Sequence, residues 1–345
     1  MESGDRTGPK QKPRRCRQPR DLASWSCGVL ILLLLLSAGC VPDLDPVDAA
    51  RTFAHAEKLV EEIGPREMAS QENMLAGQYI FSAFADYGLE NPHFEPFSRW
   101  GMVGRNVVAT APGTLYPEWI FLIGAHYDTI PLGVGSIDNA TGMASLLEIA
   151  HYFGNHPPAY TIRFVAFDGE ELGLIGSGYH YLQSALSGDL ERSLLMLNLD
   201  MTQTNETSRV NPFIFFVLSS NAAAMEDLRQ VRREMGLAAS LVFRVPPDLA
   251  AEVSGGALMS DIQHWAHDPL ILAWPWALSF DYHTIPGSLD QIDETALGIS
   301  TKIILDFVRK LQLRTPAELQ DRSTVAVDEE ALRLLEAAGG IKAAR

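Results

Sequence analysis

The sequence predicts an α/β protein: a three-layer α/β/α sandwich with a mostly parallel central sheet. Three observations support this fold class. Apolar runs typical of strands alternate with segments of helical periodicity along the body of the chain. The run Trp119–Ala125 is continuously apolar, as expected of a strand buried on both faces. Hydrophobic residues make up 47% and charged residues 20% of the chain, which excludes a disordered chain, a collagen-like fibre and a multi-span membrane protein.

The first half of the body contains two predicted helices followed by alternating strands and helices. Apolar spacing predicts a helix over Asp48–Ile63 that ends at Gly64, and a second over Gln71–Tyr87 that ends at Gly88. β-rich or continuously apolar segments then predict strands at 106–110, 119–125 and 161–167. Helical periodicity between and after these strands predicts helices at 143–153 and 174–186.

The second half continues the same alternation. Strands are predicted at 194–199, 213–218 and 270–274, and helices at 222–235 and 295–311. We find no internal repeat and no linker rich in Pro, Gly or Ser. Residues 41–313 are therefore predicted to form one domain, and residues 314–345 a polar helical tail.

The amino-terminal segment predicts export. Residues 22–41 carry no charge, are rich in Leu and follow a basic stretch. The sequence Leu-Ser-Ala-Gly-Cys that ends at Cys40 resembles a bacterial lipobox, which predicts lipidation of Cys40. An uncleaved signal anchor and an ordinary cleaved signal remain alternatives for residues 1–40. Each interpretation places the body outside the cytoplasm, and the first two attach it to a membrane, on the periplasmic or cell-surface side.

Net charge and cysteine content restrict which partners and which metal ligands the body can have. The chain has a net charge of −16, and without its first 39 residues, seven basic and three acidic, it has −20. Such a field repels phosphate backbones and attracts cations, so we expect no nucleic-acid partner. The three cysteines, Cys16, Cys27 and Cys40, lie in or beside the export segment. Any metal ion in the body must therefore be bound by His and carboxylates.

Polar residues cluster where the predicted strands end and where one predicted helix begins, and in such sheets ligands bind beyond the carboxyl ends of strands. These residues are His126, Asp128, Asp138, Glu170, Glu171, Asp200 and His283. Each alone has an ordinary interpretation as a cap or a solvated turn. Together, two imidazoles and several carboxylates at one edge require a nearby cation, because the carboxylates repel one another. The donor set favours Zn²⁺ or another imidazole-tolerant divalent ion over Ca²⁺.

The sequence resembles the secreted double-zinc aminopeptidases of metallopeptidase family twenty-eight. That family also contains glutamate carboxypeptidase-type enzymes, glutaminyl cyclases and the transferrin receptor ectodomain. The matching stretches, in the family's order, are GPR (64–66), GRNVVATAPGT (104–114), GAHYDT (124–129), GSIDNATGMASLLEIA (135–150), TIRFVAFDGEELGLIGS (161–177), LNLDM (197–201), SD (260–261) and YHT with LDQID (282–293). Two positions depart from the family: Gly287 stands where Asp is common, and Ile262 where His is frequent.

The resemblance implies two Zn²⁺ ions held by five residues, with one carboxylate shared. The first ion would be held by His126, Asp138 and Asp200, and the second by Asp138, Glu171 and His283. Asp128 would orient the imidazole of His126, and Glu170 would be the general base. Because neighbours on a strand point to opposite faces, Glu170 and Glu171 are expected on an irregular turn.

The implied activity is that of a zinc-dependent exopeptidase. An aminopeptidase would hydrolyse the amino-terminal peptide bond of its substrate with a metal-bound water and Glu170 as base, and the acidic edge would hold the substrate's α-amine. A glutaminyl cyclase is an alternative, although cyclases carry Trp where this chain has Tyr282. A carboxypeptidase would need a basic pocket for the substrate carboxylate; the sequence does not decide whether Arg99, Arg105 or Arg163 lines one, and the position of Arg163 in a predicted strand favours a structural role. A non-catalytic ectodomain is the third alternative; such proteins lack ligands that this sequence retains.

Overall fold

The computed structural model describes residues 44–131, 133–203, 214–217, 221–236, 242–244, 260–265, 268–276 and 287–321. The predicted export segment, Cys40, Tyr282 and His283 lie outside these ranges. Within them, no helix combines the length and hydropathy that a membrane crossing requires.

A mixed sheet forms the centre of the described structure. Its strands are β1 (Glu90–Arg99), β2 (Met102–Ala111), β3 (Tyr116–His126), β4 (Tyr160–Phe167), β5 (Ser193–Asn198), β6 (Ile214–Val217), β7 (Val242–Arg244) and β8 (Ile271–Trp276). Their order across the sheet is β1-β2-β4-β3-β5-β8-β6-β7. The four central strands β4, β3, β5 and β8 pair in parallel. At one end β2 is antiparallel to both β4 and β1, and at the other β6 is antiparallel to β8.

Helices cover both sides of this sheet, which confirms the predicted α/β architecture. They are α1 (Ala49–Glu57), α2 (Gln71–Asp86), α3 (Thr141–Asn155), α4 (Ile175–Ser187), α5 (Ala222–Glu234), α6 (Glu294–Leu311) and α7 (Pro316–Gln320). Side chains cap the starts of α2, α5 and α6: Ser70, Asn221 and Asp293 each accept a hydrogen bond from a first-turn amide. The core includes Phe121 on β3 and Ile303 on α6, both fully or almost fully buried.

Two segments differ from the sequence prediction. The helix expected over Asp48–Ile63 ends as an α-helix at Glu57, and Lys58–Ile63 continue as a wider π-helical turn that stops at Gly64, with φ of 82°. The sequence does not predict β1, which contains Pro92 and Pro96. Proline removes a backbone donor, and it is tolerated here because β1 is the edge strand of the sheet.

The start of the predicted polar tail packs against the body. Asn221, which caps α5, donates from Nδ2 to the carbonyl oxygens of Glu318, Leu319 and Asp321. Leu319 is fully buried. Residues 322–345 lie outside the described residues, so the expected domain limit at 313 stays a prediction.

Candidate metal centre

His126 is the last residue of β3, the strand that lies between β4 and β5. Its imidazole is 1% exposed, and Nε2 lies 2.9 Å from Asp138 Oδ1 and 3.7 Å from Asp200 Oδ1. Asp200 lies just beyond the end of β5. The parallel pairing of β3 with β5 therefore places both side chains at the carboxyl edge of the sheet.

Glu170 and Glu171 lie in an irregular turn between β4 and α4, as predicted. The buried Asp128 carboxylate accepts hydrogen bonds from the amides of Glu170 (3.0 Å) and Glu171 (3.2 Å). Its Oδ1 also lies 3.5 Å from His126 Nδ1. Asp128 thus fixes the backbone of both glutamates, which the sequence does not reveal. Its role in orienting the imidazole stays a prediction, because 3.5 Å from Nδ1 is longer than a good hydrogen bond.

Asn139 joins the loop of Asp138 to the loop of Asp200. Its Nδ2 donates to the Leu199 carbonyl (2.8 Å), and its Oδ1 accepts from the Met201 amide (3.0 Å), so its contacts flank Asp200 on both sides. Oδ1 also accepts from the Gly142 amide at the start of α3. A Cβ at Gly142 would collide with Asn139 Oδ1 and the Leu199 carbonyl, which explains glycine there. The Asp138–Asn139 peptide bond is cis.

Two further polar residues lie beside Asp200. Ser260 donates from Oγ to Asp200 Oδ2 (2.5 Å) and accepts from Asn198 Nδ2 (2.6 Å). Asp261 is fully buried. Burial raises its pKa to about 7, and the charges of Asp128 and Asp200 add to that rise against the lowering effect of His126. The sequence marks the Ser260-Asp261 pair through the family motif but assigns it no role.

The ligand atoms form two overlapping groups. His126, Asp138 and Glu171 form one, and His126, Glu170 and Asp200 form the other, with the atoms of each group within 4.8 Å of one another. These five residues are called the metal cluster below. The resemblance implies a different partition, with Asp138 shared and Glu170 outside the ligand set. His283, the remaining expected ligand, lies outside the described residues.

The cluster shifts the protonation of its own members. Burial raises the pKa of Glu170 well above its usual value, and the charges of Asp261, Asp200 and Asp138 add to this against the effect of His126. Burial alone would lower the pKa of His126, but the charge of Glu170 and contacts with Asp128, Asp138 and Asp200 raise it well above its usual value. Both shifts follow from concentrating carboxylates around one imidazole in a poorly solvated place.

The donor set fits a divalent zinc ion. A neutral imidazole Nε2 and the carboxylate oxygens beside it are all acceptors, so they repel one another unless a proton or a cation lies between them. Imidazole nitrogen with carboxylate oxygen and no thiolate is an ordinary zinc donor set. By contrast Asp168, which also follows β4, accepts from Asn73 Nδ2 and the Arg105 amide and serves the fold rather than the metal cluster.

Curated proteins with similar sequences include peptidases. Aminopeptidase YwaD of Bacillus subtilis is 40% identical over 90 residues, which are 26% of this chain and 19% of YwaD. A Mycobacterium tuberculosis protein named "Probable lipoprotein aminopeptidase LpqL" is 29% identical over 223 residues, 57% of this chain and 43% of LpqL. The matched part of this chain thus spans less than half of either relative.

Solved structures share the fold. The zinc aminopeptidase BSAP of Bacillus subtilis superposes with a TM-score of 0.64 at 17% identity, covering 77% of this chain and 95% of BSAP. A glutaminyl cyclase of Bacteroides thetaiotaomicron superposes with a TM-score of 0.60 at 18% identity, covering 78% of this chain and 99% of the cyclase. The fold is therefore common to zinc aminopeptidases and glutaminyl cyclases.

The family pattern of peptidase family M28 matches residues 106–308. This range includes every member of the metal cluster and most of the sheet. The chain belongs to peptidase family M28.

Proposed function

We propose that this protein is a zinc-dependent exopeptidase, specifically an aminopeptidase that removes residues from the free amino terminus of peptides. One observation carries the proposal. A buried imidazole and four carboxylates, supplied by the ends of neighbouring strands and the loop before α3, lie in two overlapping groups of ligand atoms. Aminopeptidases among the relatives support the same activity.

Two zinc ions would be held by residues from both groups. His126, Asp138 and Asp200 would hold one ion, while Asp138, Glu171 and His283 would hold the other. The inclusion of His283 rests on the family resemblance, because His283 lies outside the described residues.

The chain's own residues would carry the proton and orient the substrate. When bound, zinc would polarise the scissile carbonyl and lower the pKa of a coordinated water. Glu170 would accept a proton from that water and deliver it to the leaving amine. Asp128 would hold Glu170 and Glu171 through their amides. The net negative charge of the body would attract the substrate's α-ammonium group.

A substrate panel separates this proposal from cyclisation and from a non-catalytic role. The purified full chain, equilibrated with zinc, would be incubated with aminoacyl anilides, free peptides, amino-acetylated peptides, carboxyl-amidated peptides and peptides with amino-terminal glutamine. We expect hydrolysis of substrates with a free amino terminus, whether or not the carboxyl end is blocked, and none of acetylated peptides. Cyclisation of glutaminyl peptides without hydrolysis of the other substrates would show that the protein is a glutaminyl cyclase. Cleavage only at a free carboxyl end would show that it is a carboxypeptidase. No reaction in any arm would favour the non-catalytic ectodomain.

We also propose that Cys40 is lipidated and attaches the protein to a membrane on the exported side. The lipobox-like sequence before Cys40 and the similarity to LpqL support this. Cys40→Ser should leave the precursor unprocessed or release the protein into the soluble fraction. A variant that is still processed and membrane-bound like the parent would favour a signal anchor instead.

A further inference from the structure

A buried arginine lies directly behind the metal cluster. Arg66 is 0% exposed. Its guanidinium donates from Nε to the Tyr127 carbonyl (2.7 Å), from Nη1 to the Val134 carbonyl (2.5 Å) and from Nη2 to the Gly135 carbonyl (3.1 Å). In the described part of the chain, the side-chain hydrogen bonds of Arg66 all end on backbone carbonyl oxygens.

These contacts join the two chain segments that supply His126 and Asp138. Tyr127 follows His126 directly, and Gly135 lies three residues before Asp138. The guanidinium is rigid and planar, so carbonyls bound to its different nitrogens are held at fixed separations. Arg66 therefore sets where the Asp138 loop stands relative to the end of β3, and His126 Nε2 lies 2.9 Å from Asp138 Oδ1 as part of that arrangement.

Arg66 is itself held in place. Its amide donates to Thr129 Oγ1 (3.0 Å), and its carbonyl accepts from Asn73 Nδ2 (3.3 Å). Nη1 makes longer contacts to the carbonyls of Leu59 and Gly64, where the π-helical turn ends. Gly135 has φ of 59°, and a Cβ there would collide with Thr129 Cγ2 and lie 2.5 Å from the Asp138 carbonyl oxygen and 3.0 Å from Arg66 Nη2, so the tight loop around Arg66 requires glycine.

The charge of Arg66 does not explain this placement. Burial lowers its pKa to about 10, while Asp128, Asp138 and Glu171 oppose that change, so the group stays cationic at neutral pH. A fixed cation beside the metal cluster repels a metal ion and, by charge alone, weakens metal binding. Any benefit to the metal centre must therefore come from the hydrogen bonds.

We propose that Arg66 is a positioning residue of the metal centre, which holds the Asp138 loop against the end of β3 so that His126 and Asp138 can bind the same ion. The inference rests on the proposed zinc function of the metal cluster. Lysine keeps the charge but supplies three donors from a single nitrogen and lacks the planar fork. Arg66→Lys therefore removes the geometry and leaves the charge.

The experiment compares two conservative variants of the full chain. Zinc affinity is measured by competition with a chelator, and thermal unfolding of the zinc-free protein is measured in parallel. We expect Arg66→Lys to raise the Kd for zinc roughly ten- to a hundredfold, the usual effect of losing a group that orients metal ligands.

Arg232→Lys is the matched control, because Arg232 is also buried but belongs to α5, away from the metal cluster. It should lower the unfolding temperature and leave zinc affinity unchanged.

A purely structural role predicts a different pattern, in which both variants lose stability and neither loses zinc affinity. A folded Arg66→Lys protein whose zinc Kd stays within about twofold of the parent would overturn the proposal. If that variant does not fold, Thr129→Val decides, because it removes only the acceptor of the Arg66 amide; it should weaken zinc binding several-fold, and unchanged binding would overturn the proposal. Zinc binding is measured without substrate, so a parent that binds zinc but cleaves no peptide would refute the proposed function and not the role of Arg66.

Discussion

Glu170 and Glu171 are neighbours in the sequence with different proposed duties. Both amides bind the same Asp128 carboxylate, so the backbone of the turn is fixed at both residues. Their side chains nevertheless enter different groups of ligand atoms. One is proposed to carry a proton and the other to bind metal, and substitution separates these roles.

We predict that Glu171→Ala loses zinc together with activity, because a ligand is removed. Glu170→Gln should retain both ions, since Gln is nearly isosteric and the proposed ligand set is intact. Its turnover should fall by roughly 10²–10⁴, the usual contribution of a positioned general base. KM should change less than kcat, because the proton moves in the transition state. Metal analysis and steady-state kinetics on the same preparations provide the measurements.

Two outcomes would contradict this assignment. A Glu170→Gln enzyme with full metal content and near-normal turnover would show that Glu170 is not the base. A Glu170→Gln enzyme that loses an ion would show that Glu170 is a ligand, as its grouping with His126 and Asp200 also allows.

At the scale of residues, the sequence predicts the members of the metal cluster better than the residues that hold them. His126, Asp138 and Asp200 are visible because they follow predicted strands or begin a predicted helix. Asn139 and Arg66 act through backbone amides and carbonyls. A backbone amide or carbonyl is present in almost every residue, so these contacts leave little trace in the sequence of their partners; Gly142, where a Cβ would collide with Asn139, is an exception.

At the scale of elements, Asn139 joins the start of α3 to the chain leaving β5. Its Nδ2 donates one hydrogen bond and its Oδ1 accepts two, and all three hydrogen bonds are buried. We predict that Asn139→Ala lowers the free energy of unfolding by about 2–5 kcal/mol, because buried backbone groups lose their partners. Zinc affinity should fall by roughly tenfold or more, since Asp200 is no longer held beside Asp138. Urea unfolding and chelator competition measure the two effects.

Asn155→Ala provides the matched control for this prediction. Asn155 is exposed at the end of the same helix, where its Nδ2 donates to the His151 carbonyl. Its loss should change neither stability nor zinc affinity appreciably. An Asn139→Ala protein with the stability and zinc affinity of the Asn155→Ala protein would show that the link does not support the metal cluster.

The sequence predicts strands correctly where the hydrophobic pattern matches the burial of the strand in the folded protein. The central strands β3, β4 and β5 are buried on both faces, and their apolar runs identify them. The sequence does not predict β1, because an edge strand tolerates Pro92 and Pro96 and exposes much of its length. The sequence does not predict the antiparallel direction of β2 and β6, since periodicity within one strand contains no information about its neighbour.

At the scale of the whole molecule, residues 314–321 contribute to stability. Besides the Asn221 contacts and the burial of Leu319, Arg314 binds Asp227 through Nη2 (2.6 Å) and Nε (3.0 Å). We predict that a chain lacking residues 314–345 is less stable than one lacking residues 322–345 by about 3–6 kcal/mol, because apolar burial is lost, Asn221 Nδ2 loses its acceptors and the Asp227 carboxylate loses Arg314. Denaturant unfolding of both chains measures the difference. Equal stabilities would place the functional boundary of the domain at 313, where the sequence predicts it.

The order of β4, β3 and β5 across the sheet has a consequence for evolutionary divergence. Each of these adjacent strands leads into at least one member of the metal cluster, and adjacent strands are about 4.8 Å apart in any hydrogen-bonded sheet. The spacing of these ligands is thus set by the backbone hydrogen bonds between the strands, which every amino acid except proline can form. Side chains in the layers around the sheet are then free to drift as long as they remain apolar and fill the space. A protein with only 17% sequence identity can accordingly keep the same fold. We expect the amino-acid sequence to vary far more among related proteins on the buried helix faces than at the strand ends.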